Sequence, residues 1–201
     1  DVQTIIRGAA FLGAAMSMGL GAVGAAIGEG YTAAQANDAV SRKPEASGDI
    51  LKNMLVGQAV AESAAIFALV IAILLLFLDV PVHNVLEGAA VLAAGLCMGA
   101  GAVGSGIGSG FPGGQACQGI SRQPSVMSRL TTNMLIGSAV CQTPAIFSMV
   151  VALMLIFMDF GSLPVGPTWA ALIGAGLSTG LAAIGSGYGG GLAAGASCEG
   201  I

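Results

Sequence analysis

The chain has 201 residues, of which 55% are hydrophobic and only 8% are charged, and its formal net charge at pH 7 is -4. This composition, with a mean hydropathy of +0.89, excludes an ordinary water-soluble domain and indicates a polytopic α-helical membrane protein. It also argues against nucleic-acid binding, because the few Lys and Arg residues form no basic patch beyond two short connections.

Two and a half copies of one helical hairpin make up the chain. Residues 21–31 recur at 101–111 and residues 41–44 recur at 121–124, both at an offset of 80, while 198–201 matches 117–120 at an offset of 81. Each unit has a Gly-rich helix, a polar connection with Arg-x-Pro and an aliphatic helix. The predicted membrane spans are 4–40, 46–78, 84–120, 126–158 and 168–201.

The repeats divide the chain into three parts. Residues 1–80 form a hairpin with a candidate ion site, 81–164 a second hairpin without a carboxylate at the corresponding site, and 165–201 the first helix of a third hairpin. The odd number of spans leaves open a sixth helix beyond Ile201. Small-xxx-small pairs such as Gly24/Gly28 predict that the first helices of the units pack tightly as an inner layer.

The charged residues indicate the orientation in the membrane. Five basic residues fall in or beside the two polar connections: Arg42, Lys43, Lys52, Arg122 and Arg129. The opposite ends of the helices are marked by three acidic residues: Asp79, Glu87 and Asp159. By the positive-inside rule, the polar connections face the cytoplasm. Pro44 and Pro124 stand where the returning helices should begin, since a missing N–H does no harm there.

Glu62 is the most informative residue, because it lies inside an apolar span and Gln142 replaces it in the second hairpin. An ionisable residue within a membrane is a functional site by default, since placing it there costs several kcal/mol. Glu29, on the other arm of the hairpin, should lie at comparable depth, since both carboxylates are roughly a dozen to sixteen residues from the turn.

Two neighbouring carboxylates in a low-dielectric medium cannot both stay charged, so one holds a proton or a cation binds between them. Ser63 adds a hydroxyl group beside Glu62, and the resulting set of oxygens suits Na⁺ or a proton. The alternative is a protonated pair of glutamates that only holds the two arms of the hairpin together.

The Gly-rich motifs, the cysteines and the histidine do not indicate a catalytic or ligand-binding site. The Gly-x-Gly-x-x-Gly matches lie inside helix-length apolar runs, which is the wrong context for a nucleotide-binding loop. The four cysteines form no Cys-x-x-Cys pair and indicate buried thiols rather than a disulfide framework or a metal site. His83, the only histidine, is interpreted as a solvated loop residue.

Three segments resemble the c subunit of F-type ATP synthases: Gly-Glu-Gly-Tyr at 28–31, Ser-Arg-Lys-Pro-Glu at 41–45 and Gly-Gln-Ala-Val-Ala-Glu-Ser at 57–63. The resemblance covers the whole chain as repeated hairpins. It implies a rotor ring of c subunits in the membrane lipid, with the stator a subunit and the central stalk as partners. It implies no catalytic residue and no cofactor, only a transported Na⁺ or H⁺.

The resemblance also implies the ligands, which in Na⁺-translocating members come from neighbouring hairpins. Carried over, the ion ligands are Glu29, Glu62, Ser63 and the backbone carbonyl of Val60. Thr143 and Val140 match Ser63 and Val60 in the second hairpin. The positions that have lost a carboxylate or another ligand are Ser109, Gln142 and Gly190. The loops that face the stalk contain Arg42, Lys43, Pro44, Arg122, Gln123 and Pro124.

The resulting prediction is a rotor-ring subunit that carries Na⁺ in preference to H⁺, in the plasma membrane of a bacterium or archaeon. Phe67 departs from the pattern, because Na⁺-type members often have Tyr there. Fused hairpins with lost sites also resemble V/A-type proteolipids, although the Arg-x-Pro loops favour the F-type ring. A non-rotary helical pore or oligomer is the third alternative, and a pore would be expected to line a wet channel with polar residues.

Overall fold

A computed structural model describes residues 1–78 and 84–201 of the chain. These described residues form five long helices: α1 (Val2–Arg42), α2 (Ser47–Phe77), α3 (Leu86–Arg122), α4 (Met127–Phe157) and α5 (Thr168–Glu199). All five are long and apolar enough to cross a membrane. The predicted all-α membrane fold with five spans is therefore confirmed, whereas Asp79 and His83 lie outside the described residues.

The helices pack in two layers. The inner row consists of α1, α3 and α5, with α3 in the middle and in extensive contact with both others. The outer helix α2 packs against α1 and α3, and the outer helix α4 packs against α3 and α5. Each outer helix thus covers the groove between its own inner helix and the next, and α2 also touches α4.

Glycine allows the backbones of the inner row to meet. A methyl group at Gly24 of α1 would lie 2.5 Å from the Cα atom of Val103 and 2.8 Å from the carbonyl oxygen of Ala102 on α3. A methyl group at Gly104 of α3 would likewise lie 2.5 Å from the carbonyl oxygen of Ala183 on α5. Because these neighbours are backbone atoms, larger residues would push whole helices apart. The tight inner layer predicted from the sequence is confirmed.

Both hairpins turn in the same way. Lys43 and Gln123 leave the helical conformation, with φ/ψ of -138°/73° and -142°/82°. Each is followed by a proline that opens one 3₁₀ turn, Pro44–Ala46 or Pro124–Val126, before the outer helix begins. A residue that precedes proline is disfavoured in the α region, and proline itself tolerates the first helical position. The predicted role of the two prolines at the start of the returning arms is confirmed.

Substituting Gly24 by Ala should destabilise the chain by about 1–3 kcal/mol, because the added methyl group meets backbone atoms that cannot rotate away. The matched control is Gly19→Ala on the same helix, where an added methyl group would meet nothing within 4 Å. That control should be neutral or stabilise by up to about 1 kcal/mol, since Ala is the better helix former. Thermal unfolding of the detergent-solubilised chain, followed by circular dichroism, measures both. Equal midpoints for the two variants would contradict the packing described here.

Candidate ion-binding site

Glu62 lies halfway along α2 with an exposed side chain, and Glu29 lies half-buried on α1. The residues immediately before them are neighbours across the hairpin, since a methyl group at Gly28 would lie 3.4 Å from the Cβ atom of Ala61. The expectation that Glu29 and Glu62 lie at comparable depth in the membrane is confirmed.

Neither carboxylate is neutralised by another side chain of the described ranges 1–78 and 84–201. The polar contact beside them is made by Gln58, whose Nε2 atom donates to the backbone carbonyl of Glu29 at 3.3 Å. Two ion pairs of the first hairpin, Arg42–Asp38 and Lys52–Asp49, lie near the polar connection. Glu29 and Glu62 therefore form a pair of acidic groups on one side of the first hairpin.

The corresponding positions of the second hairpin are joined by a hydrogen bond. Nε2 of Gln142, on α4, donates to Oγ of Ser109, on α3, at 3.0 Å. The same nitrogen donates to the carbonyl oxygen of Val60, on α2 of the first hairpin, at 2.8 Å. Gln142 is almost fully buried, with 8% of its surface exposed. It therefore connects its own hairpin to the preceding one in the middle of the membrane.

The structure divides the four predicted ion ligands into two groups. Val60 lies at the joint between the first and second hairpins, where its carbonyl oxygen accepts from Gln142. Oγ of Ser63 donates to the same carbonyl oxygen at 2.6 Å. Glu29 and Glu62 take no part in that joint. The carbonyl of Val60 accepts from Ser63 and from Gln142 of the second hairpin, so within this chain its hydrogen bonds are made to residues other than Glu29 and Glu62. That the four residues share an ion between neighbouring hairpins stays a prediction.

Val140 and Thr143 both lie exposed on α4. Pro144 has no N–H to donate to the carbonyl of Val140 four residues earlier, so this carbonyl lacks its usual helical partner. The next N–H, that of Ala145, donates to Oγ of Ser105 on α3 at 3.0 Å. The proline was visible in the sequence at the right spacing, but its effect on Val140 was missed.

Gly190 lies on α5 at the place predicted from the repeat. A methyl group there would lie 3.8 Å from Sγ of Cys141, the residue that precedes Gln142. The third unit therefore meets α4 at the same depth as the other polar positions. Without a side chain, Gly190 adds no ligand atom.

The arginines of the predicted stalk-facing loops also hold neighbouring hairpins together. Arg42 pairs with Asp38, and its Nη1 atom donates to Oε1 of Gln118 on α3 at 3.1 Å. Arg122 makes the equivalent link one hairpin later, to the carbonyl oxygen of Glu199 on α5 at 3.3 Å. Sequence reasoning missed Gln118, although it occupies the repeat position of Asp38.

Together, the fold and the site define a class of membrane protein, one built of tandem helical hairpins whose polar positions meet at mid-membrane depth. The family model for the ATP synthase C subunit matches the chain twice, at residues 12–75 and 92–155. The chain belongs to the ATP synthase C-subunit family.

Individual relatives each match one hairpin's length of the chain. Over 77 residues the chain is 47% identical to the ATP synthase c subunit of Natranaerobius thermophilus, covering 38% of this chain and 88% of that protein. It is 49% identical over 75 residues to the ATP synthase c subunit of Alkaliphilus oremlandii, covering 37% and 84%. It is 49% identical over 69 residues to the ATP synthase c subunit 2 of Cereibacter sphaeroides, covering 34% and 83%.

Proposed function

We propose that the chain is a rotor-ring subunit of a rotary ATP synthase or ATPase and that Glu62 carries the transported cation. One observation carries the proposal. Glu62 is an exposed carboxylate halfway along an apolar membrane helix, beside a second carboxylate, Glu29. A charge at that depth is costly unless an ion or proton neutralises it, so such residues mark ion pathways.

The internal repeat suggests how the site of Glu62 is completed. Gln142 contacts Ser109 on its own hairpin and the Val60 carbonyl on the hairpin before it. By the same geometry, Glu62 would face Glu29 on its own hairpin and a backbone carbonyl on the outer helix of a ring neighbour. In the ring, the carboxylates of Glu29 and Glu62 from one chain would therefore meet a backbone carbonyl from the neighbouring chain, and together they would form the ion site.

The transport cycle follows from this arrangement. While Glu62 faces lipid, the bound cation compensates its charge, because an unpaired carboxylate in hydrocarbon is unfavourable. At the stator a subunit the carboxylate would meet a polar path and release or take up its ion. Rotation of the ring then couples ion flow to ATP chemistry in the partner subunits, to which the central stalk connects through the Arg-x-Pro loops.

For the transported ion, we propose Na⁺ in preference to H⁺. Two carboxylates, together with a carbonyl and a hydroxyl oxygen from a neighbouring hairpin, would supply the hard oxygen ligands that alkali and alkaline-earth cations take. A proton site needs only one carboxylate and one acceptor. The membrane concerned would be the plasma membrane of a bacterium or archaeon, and the relatives described above are bacterial.

Glu62→Gln should leave the chain assembled but abolish ion-coupled transport, because an amide cannot alternate between a charged and a neutralised state. The measurement is ATP-driven Na⁺ or H⁺ uptake into vesicles that contain the complete complex. Glu45→Gln, at the exposed polar connection, is the matched control and should retain uptake. Coupled uptake in the Glu62→Gln variant would overturn the proposal.

Dicyclohexylcarbodiimide, which modifies protonated carboxyl groups in apolar surroundings, should label Glu62, and Na⁺ should slow that labelling. The physical reason is competition, since a bound cation displaces the proton that the reaction requires. Labelling rates at neutral and slightly alkaline pH, with Na⁺ or with K⁺ as the control, test this. A rate that is indifferent to Na⁺ at both pH values would mean that the site takes protons.

A further inference from the structure

The joint between the first and second hairpins contains a buried amide where a carboxylate and its ion would otherwise meet. We propose that the Gln142 side chain is a fixed substitute for the transported cation and holds this joint permanently in the geometry of the ion-loaded state. The inference rests on the proposed function, since it concerns the equivalent of the Glu62 position.

The donor pattern of Gln142 carries the argument. A cation bound between hairpins attracts oxygen atoms on both sides of the joint through its positive charge. The amide nitrogen of Gln142 does the same with partial charge, since it donates to the Val60 carbonyl at 2.8 Å and to Ser109 Oγ at 3.0 Å. These two acceptors belong to different hairpins, so one neutral side chain joins them.

The acceptors at the joint face the amide nitrogen, while Oε1 of Gln142 is buried and has no hydrogen-bond partner among the described residues. Oγ of Ser109 donates its own proton to the carbonyl of Ser105 at 2.6 Å, which leaves its lone pairs for Gln142. Ser63 donates to the Val60 carbonyl at 2.6 Å. The protein's own donors thus occupy the oxygen atoms that a cation would need. Reversing the amide would place its oxygen against the Val60 carbonyl, so the orientation is fixed by chemistry.

This arrangement makes the joints of the ring unequal. An amide neither titrates nor binds Na⁺ in exchange for a proton. The hydrogen bonds of Gln142 therefore persist at every ion concentration, and they also persist while the joint passes the stator. The edge that carries Glu29 and Glu62 is the one that responds to the ion. The chain would then move past the stator as a pair of hairpins that behaves as one ion-carrying unit.

The test uses the full chain in lipid nanodiscs in a Glu62→Gln background, which removes one carboxylate of the other edge and retains Glu29. Adding Gln142→Glu should make the midpoint of thermal unfolding rise with Na⁺ or with falling pH, because a carboxylate at the joint needs the cation that the amide replaced. The Glu62→Gln parent is the baseline, and its midpoint should rise less under the same conditions.

A second variant keeps the test decisive if the new carboxylate prevents folding. Gln142→Leu in the same background removes the two donated hydrogen bonds. Backbone amides around the joint should then exchange hydrogen roughly tenfold faster, which corresponds to the loss of about one net hydrogen bond. The increase should be the same with and without Na⁺. Gln115→Leu is the matched control, since its Nε2 atom links α3 to Tyr31 of α1 at 3.1 Å, away from the joint. In that control the exchange around residue 142 should not change.

Two results would overturn the inference. One is a folded Glu62→Gln/Gln142→Glu chain whose unfolding midpoint responds to Na⁺ and pH no more than that of its parent. The other is a Gln142→Leu chain that exchanges as slowly as its parent. Because every variant lacks Glu62, these results are independent of whether Glu62 carries an ion. Failure of the proposed function would appear instead in the uptake assay on the complete complex.

Discussion

Inside a bilayer, every polar group must be satisfied by the protein itself or by an ion, and this constraint organises the chain. The amide nitrogen of Gln142 meets it by donating to the Val60 carbonyl across the joint and to Ser109 Oγ within its own hairpin, whereas Oε1 of Gln142 has no hydrogen-bond partner among the described residues. The N–H of Ala145, next to Pro144, meets it through Ser105 Oγ. Glu62 has no such partner among the described residues, and an exposed position of this kind is what the proposed ion-carrying role requires.

Losing one of two carboxylates has an energetic consequence for a rotary machine. Each unit charge that crosses the membrane is worth about 2.3 kcal/mol per 100 mV. A ring built from chains with one carboxylate for two hairpins would move fewer ions per turn than a ring with a carboxylate on each. Such a ring needs a larger ion-motive force to make ATP, but it can pump against a steeper gradient when ATP is hydrolysed. Gln142 and Ser109 would thus lower the number of ions moved per ATP, while the hydrogen bonds of Gln142 hold the hairpins together.

Much of the architecture could be predicted from the sequence, because the repeats are visible in it and hydropathy indicates which segments can cross a bilayer. The sequence predicted the five helices, the turns at Pro44 and Pro124 and the close packing at Gly24, and the structure has all of them. The resemblance implied that neighbouring hairpins share the site, but the contact between Gln142 and the Val60 carbonyl could not be predicted from the sequence. Which face of a helix meets which partner depends on the layer packing, and that is a property of the assembled fold.

The most direct test of one ion-carrying position in the first two hairpins is the mass of fragments from residues 1–164 after exhaustive treatment of the protein with dicyclohexylcarbodiimide. The expected result is a single adduct within these residues, located at Glu62, and no adduct there in the Glu62→Gln variant. A second adduct within residues 1–164, or a single adduct at another carboxylate of this range, would contradict the account.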